Sequence, residues 1–399
     1  MSLASIRRER GRPASAGSSL LPVYRQAEPI FIGGVGSFLI DDQGQRYLDF
    51  TSGIGVNALG HGHPVIARAV QRALESGLIH TSNLFRTRPA ADLADWLVDH
   101  SFADAVFFSN SGAEANEAAI KLARCWALRT HGESRNEIVA LSGGFHGRTM
   151  GALSLTDRPA FQAPFAPLLP ATRIATPEGE SIAGVVDPAR TAAVIVEPIQ
   201  GEGGVRPLSA KLLRSLRDAC DRAGALLVFD EVQVGLGRTG RLWAHEWAGI
   251  RPDIMTLAKP LAGGLPMGAT LVTRGVADAI RPGEHGTTFG GGPLVAAVAL
   301  AVCRHVGDED FLAAVRGRAA RVRERLNAWV RAGLAREARG VGLLWGLDVG
   351  RPADEVVVRA RAAGLLVLTA GADVVRLAPP LNIAADDLEK GLDLLEGSL

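Results

Sequence analysis

Five short apolar runs punctuate the middle of the chain: Ala105–Phe108, Glu137–Leu141, Ala192–Val196, Ala225–Phe229 and Ile254–Leu257. They are nearly continuous in apolar residues and rich in Val, Ile and Phe, the pattern of strands covered on both faces. Between them, Glu114–Leu128 and Ser209–Ala223 repeat apolar positions at helical spacing. Strand alternating with helix predicts an α/β domain whose mostly parallel sheet is flanked by helices. The ends of the chain differ. In "FLIDDQGQRYLDF", Asp41-Asp42-Gln43-Gly44 is a turn signal between two strand-like runs, so a hairpin is expected. From about Pro293 a helical pattern continues to about Ala335, followed by strand-like "LLWGLDV", "LLVLT" and "VVRLA" and a closing helix at Ala384–Leu395. That reads as a smaller α+β C-terminal domain. The expected division is a tail at 1–20, an N-terminal segment with a hairpin at 21–60, a large domain at 61–295 and a small domain at 296–399.

Composition narrows the partners. The 399 residues can build one large domain and a smaller one, and 47% hydrophobic with 21% charged residues is a globular balance. A formal net charge of +1 favours neither nucleic acid nor an anionic membrane as partner. The most apolar stretch, Pro293–Cys303, is too short to span a bilayer. Cys125, Cys220 and Cys303 have no metal-type spacing, so no metal is expected. Cys125 and Cys220 fall in helical patterns as buried reduced thiols, which fits a cytoplasmic protein. The Arg- and Ser-rich start has some transit-peptide character but no apolar core, and is read as a disordered tail.

Chemistry concentrates at the strand ends. In "LLVFDEVQVGLGRTG", Gly235, Gly237 and Gly240 spell G-x-G-x-x-G. A dinucleotide turn needs its first glycine at the strand end and an acid at the tip of the next strand. Here five residues intervene after Phe229, and Asp253 precedes its strand. Asp230 is then the feature to explain. Ligands of open α/β sheets sit beyond the carboxyl ends of the strands, where Asp230 could hold a positive charge such as a protonated ring nitrogen. In "VFFSNSGAEANEAAIKLAR", Ser111, Gly112 and Ala113 open a helix whose free amides suit a phosphate, although an ordinary capped start has the same look. In "LSGGFHGRTMGALSLT", Phe145 could cover a flat ligand, and Arg148 could clamp a carboxylate. Glu197 ends a strand and Glu202 lies in a glycine-rich turn, poised for a cation or an arginine. Lys259 follows the run ending at Leu257. Among the 43 Lys and Arg residues Arg dominates, so a lysine there points to Schiff-base chemistry, which Arg cannot do. Phosphate cradle, stacking ring, acid and lysine together fit pyridoxal phosphate.

These stretches, with "VEPIQGEGGV", "PDIMTLAKPLAGGLPMGA", "HGTTFGGGP", "VVRLAPPL" and "YLDFTSGIGVNALGHGHP", resemble the class III, ornithine-type aminotransferases of fold type I. Within them the acetylornithine/succinylornithine aminotransferases are most similar, over nearly the whole chain after about Leu20. The resemblance implies that Lys259 forms the Schiff base with pyridoxal 5'-phosphate and shuttles the proton. By the same likeness Asp230 pairs with the pyridine nitrogen, Gln233 lies near the ring hydroxyl and Phe145 stacks on the ring. Gly112 and Ala113, beside Ser111, bind the phosphate. Thr288 reaches the phosphate of the neighbouring subunit of a homodimer, with Thr287 beside the substrate. Arg148 takes the α-carboxylate of the ω-amino substrate, and Arg376 that of 2-oxoglutarate. Glu202 covers Arg376 in the first half-reaction, and Glu197 and Tyr24 lie on the substrate side. The implied reaction moves the ω-amino group of N-acetylornithine to 2-oxoglutarate, as in arginine biosynthesis. Succinylornithine, ornithine, 4-aminobutyrate or another ω-amino acid are the alternative donors. Pro260, Val234 and Gly292 depart from the usual pattern of the family. A nicotinamide oxidoreductase using the Gly235 turn and a non-catalytic binding protein are the rival classes.

Overall fold

The computed structural model describes residues 20–176 and 182–399. The tail expected at the N-terminus therefore lies, Leu20 apart, outside the described residues. All five apolar runs become strands of one seven-stranded sheet: β1 Ala105–Ser109, β2 Glu137–Leu141, β3 Thr172–Ala175, β4 Thr191–Val196, β5 Leu226–Asp230, β6 Ile254–Leu257 and β7 Gly268–Val272. Their order is β1-β7-β6-β5-β4-β2-β3. Pairings are parallel from β6 through β5, β4 and β2 to β3, while β7 runs antiparallel to both β6 and β1. The sequence reading missed β3 and β7. "TRIA" is short and half-buried at the sheet edge, and "GATLV" carries only three aliphatic residues, so neither makes an apolar run.

Helix α1 (Gly112–His131) follows β1, and α2 (Ala210–Ala223) connects β4 to β5. Each starts at a serine: the Ser111 hydroxyl accepts from Glu114 N at 3.2 Å and that of Ser209 from Leu212 N at 3.1 Å. Strand residues alternate between two cores. Ile138, Ala140, Ala193 and Ile195 pack under the alanine-rich side of α1, and Val139, Leu141, Val194 and Val196 pack under Leu213 and Leu216 of α2. Each buried leucine there contributes about 1.5–3 kcal/mol by leaving water. Small side chains at Ala115, Ala119 and Ala123 let α1 approach the sheet closely.

The helical region expected after Pro293 consists of two helices, α3 (Pro293–Val306) and α4 (Glu309–Arg331). Asp308 breaks the run by capping α4, accepting from Phe311 N at 3.1 Å. At the break, a Cβ on Gly307 would come within 2.8 Å of Trp96. Next, Glu337–Val341, Leu344–Asp348, Val374–Leu377 and Leu368–Thr369 form an antiparallel sheet. The predicted hairpin is present, Phe38–Asp41 pairing with Arg46–Asp49. Its turn is closed by Asp41, which accepts from Gln43 N and Gln45 N at 3.0 and 2.8 Å. The second hairpin strand pairs in parallel with Leu365–Leu366, tying the start of the described chain to its C-terminal part. Helix Ala385–Glu396 closes the chain. Cys220 and Cys303 are buried, whereas Cys125, expected to be buried, is only partly covered and approaches Arg129 and Glu284. Among the described residues no helix is long and apolar enough to cross a membrane.

Candidate active site

The carboxyl ends of β4, β5 and β6 and the N-terminus of α1 surround a cavity of about 270 Å³. Its walls include Gly112, Ala113, Phe145, Arg148, Glu197, Glu202, Asp230, Gln233 and Lys259. Nine residues singled out from separate stretches of sequence thus meet in one place. Arg376 joins them through an ion pair with Glu202, and Ser111 stands beside them with its hydroxyl engaged as the cap of α1. Three expected residues are not brought to this cavity. Thr288 lines a different cavity, of about 300 Å³, with His80, Phe85 and Arg86. Thr287 is held next to it, its carbonyl accepting from Asn83 Nδ2 at 2.8 Å. Tyr24 is 80% exposed.

Asp230 is the most completely fixed of the set. Its Oδ2 accepts from Asn116 Nδ2 at 2.7 Å and from His146 Nδ1 at 2.8 Å, and its Oδ1 from Val232 N at 3.0 Å. Asn116 is held in turn by Thr256, whose hydroxyl donates to Asn116 Oδ1 at 2.8 Å. Burial alone would pull the His146 imidazole down, but the hydrogen bond and charge of Asp230 hold it above its ordinary value. The sequence reading gave neither Asn116 nor His146 a role. The available signal was a polar residue one turn into the alanine-rich face of α1, where burial demands a partner. Glu231, paired with Asp230 in the sequence, faces elsewhere. Its carboxylate accepts from Ala244 N and His245 N at 2.6 and 2.8 Å and holds the following loop.

The remaining charges are arranged by burial. Burial and the nearby Arg376 push the Lys259 amine down to about 8, so near neutral pH it is still mostly protonated but sheds its proton far more readily than an ordinary lysine. Burial pushes the Glu197 carboxyl up to about 7, and its Oε2 accepts from Phe145 N at 2.9 Å. Glu202 goes the other way: burial opposes its charge, yet the charge and hydrogen bond of Arg376 hold it below the usual carboxylate value. The exposed Arg148 guanidinium lies 3.6 Å from the centroid of the Phe161 ring and 5.8 Å from that of Phe145.

These residues fit pyridoxal phosphate. Gln233 Oε1 is buried without a hydrogen-bond partner beside Gly201, where a Cβ would come within 1.6 Å of it. At the mouth of α1 a Cβ on Gly112 would come within 2.6 Å of Val232, so glycine is required for backbone amides to stand there. A free amine, an unpaired amide oxygen, a helix N-terminus and a half-buried phenyl ring are the donor set a phosphorylated pyridine aldehyde needs. The glycine fingerprint does different work. Residues 235–240 form turns without opening a helix; a Cβ on Gly237 would press on Val306 and one on Gly240 on Arg316, so these glycines admit α3 and α4. Asp253 accepts from Arg217 Nη1 at 2.7 Å and Leu227 N at 2.8 Å, which takes it out of any ribose-binding role. Of the departures from the family pattern, Val234 is buried among Ile199, Val205 and Leu344, and Gly292 precedes α3. Pro260 begins a turn in which its carbonyl accepts from Gly263 N at 3.1 Å.

Comparison with known proteins agrees with this chemistry. The family profile for aminotransferase class-III matches residues 25–399. The chain is 48% identical over 387 residues to a mitochondrial acetylornithine aminotransferase of Alnus glutinosa, covering 96% of this chain and 86% of that one. It is 46% identical over 379 residues to a succinylornithine transaminase of Salmonella paratyphi A, covering 94% and 93%. Among solved structures it superposes on an ornithine aminotransferase of Toxoplasma gondii, described with partial occupancy of PLP at the active site, with a TM-score of 0.88. That pair is 29% identical and covers 100% of this chain and 97% of the other. The chain belongs to the class III aminotransferases and is a pyridoxal-phosphate-dependent transaminase of fold type I.

Proposed function

We propose that this enzyme moves the ω-amino group of N-acetylornithine to 2-oxoglutarate in a ping-pong sequence. Succinylornithine is the close alternative, with ornithine, 4-aminobutyrate or another ω-amino acid behind it. One observation carries the reading: of two arginines at the cavity, Arg148 is open and Arg376 is covered by Glu202. A covered Arg376 cannot take an α-carboxylate, so the first substrate binds by Arg148 and presents its distal amine. Similarity to proteins named for acetylornithine and succinylornithine supports the donor class.

When bound, pyridoxal phosphate supplies an electron sink that lets a proton leave the carbon bearing the amino group. The residues divide the rest. Lys259, with its lowered basicity, provides the amine that holds the cofactor aldehyde and carries the proton at Nζ. Asp230, steadied by Asn116 and His146, holds the proton on the ring nitrogen. Ser111, Gly112 and Ala113 take the phosphate, Gln233 the ring hydroxyl and Phe145 one ring face. Arg148 orients the donor carboxylate, with Glu197 near it. Glu202 then leaves Arg376 free for 2-oxoglutarate. Thr288 reaches the phosphate at the site of a second copy in a homodimer, with Thr287 beside the substrate and Tyr24 on the substrate side, a reading supported by the exposure of Leu84, Phe85 and Phe289 near Thr288. The division at about residues 60 and 295 and a cytoplasmic location belong to the same proposal.

The test is a panel of amino donors scored by the change each causes in the cofactor absorbance in a single half-reaction. N-acetylornithine is expected to be fastest, followed by succinylornithine. If α-amino acids outrun every ω-amino acid, the reading is wrong.

A further inference from the structure

The turn that carries Glu202 is clasped by three arginines. Successive carbonyl oxygens of Glu202, Gly203 and Gly204 accept from Arg158 Nη2 at 2.8 Å, Arg206 Nε at 3.1 Å and Arg339 Nε at 2.7 Å. These arginines come from three elements: the segment after Arg148, the short strand Arg206–Pro207 and the strand Glu337–Val341. Arg339 also shares a row with Arg376. In the antiparallel sheet Arg339 pairs with Gly346, and Gly346 pairs with Arg376, so both guanidiniums rise from one face with a glycine between them. The turn fills that gap. A Cβ on Gly346 would lie 3.0 Å from Gly204 O and 2.9 Å from Val205 Cβ. Val205 itself is buried with φ 49°, a left-handed conformation that a β-branched residue keeps only when its surroundings impose it.

We propose that Arg339, with Arg158 and Arg206, locks the backbone of this turn, so that the exchange between substrates is made by the Glu202 side chain alone. Arg339 is thereby a positioning residue for the discrimination between ω-amino and α-amino donors. The inference rests on the gating role proposed for Glu202. With the carbonyls held, Glu202 returns to Arg376 after each turnover. With one released, the strained turn relaxes and Arg376 is left bare for part of the time, favouring glutamate in the step meant for the ω-amino donor.

The experiment compares the holoenzyme with Glu202→Ala, Arg339→Met, Arg339→Lys, Arg158→Met and Arg206→Met. For each, half-reaction kcat/KM is measured for glutamate and for the fastest ω-amino donor of the panel, and the melting temperature is recorded. Glu202→Ala should raise the glutamate to ω-donor ratio. Arg339→Met should raise it in the same direction by about three- to tenfold, less than the full worth of a hydrogen bond from a charged donor because the contact acts on the ratio only through Glu202. Arg339→Lys, which can still donate to Gly204 O, should recover part of the change. Should Arg339→Met fail to fold, Arg158→Met and the more exposed Arg206→Met decide the matter. If Glu202→Ala shifts the ratio and the arginine variants keep the wild-type value, the clasp is refuted and the gate stands. If Glu202→Ala leaves the ratio unchanged, gate and clasp fall together.

Discussion

Arg148 and Arg376 reach the same cavity from opposite circumstances. Arg148 is exposed, lies over the Phe161 ring and has no acidic partner among the described residues. Arg376 is buried in a strand, paired with Glu202, and close enough to Lys259 to depress its basicity. A guanidinium in water trades hydration for a ligand carboxylate at little net gain. A buried one must always be paired, so when Glu202 leaves, an incoming carboxylate has to replace it. The difference gives one protein two carboxylate sites of unequal strength, and it orders their use.

That contrast can be broken in steps. The largest effect should come from Asp230→Asn, on which both sites depend. Cofactor should stay bound while both half-reactions slow by at least about a hundredfold, because a neutral amide cannot hold a protonated ring nitrogen; near-normal rates would refute the role. Next comes Arg376→Ala, which should lower kcat/KM for 2-oxoglutarate by about a hundredfold or more and leave the ω-amino half-reaction within a fewfold. Equal losses in both halves would mean that the two arginines do not divide the substrates. Arg148→Ala should do the reverse more gently, about tenfold on the ω-amino donor, since an exposed guanidinium competes with water. The smallest effect concerns stability. Glu197 keeps its proton up to about 7 in the folded chain against 4.5 unfolded, so the folded state binds more protons in between. Its contribution to stability is complete below about 4.5 and is lost as pH rises towards 7. Melting the cofactor-free protein should show Glu197→Gln gaining on the parent across that interval; parallel curves would mean that Glu197 titrates normally.

Much of this was legible beforehand, for physical reasons that vary by element. The central strands announce themselves because burial on both faces demands unbroken apolar runs, and Lys259, Asp230 and Gly112 stand out because strand ends are where such sheets bind ligands. Strand β7 was hidden because its glycine and threonine interrupt the apolar signal. The strand context already spoke against a dinucleotide turn at Gly235, but what its glycines are for was not legible: Gly237 and Gly240 answer to Val306 and Arg316, about seventy residues away in sequence.

By itself the sequence determined the α/β architecture, the cofactor chemistry and the residue types at the strand ends, because these follow from local periodicity and from what each side chain can do. Tertiary structure alone decided which of two adjacent acids faces the cavity, that His146 and Asn116 stand behind Asp230, and that three arginines meet on one turn. Those outcomes depend on which distant segments bury one another. A buried charge or amide takes whatever partner the packing leaves within hydrogen-bonding distance.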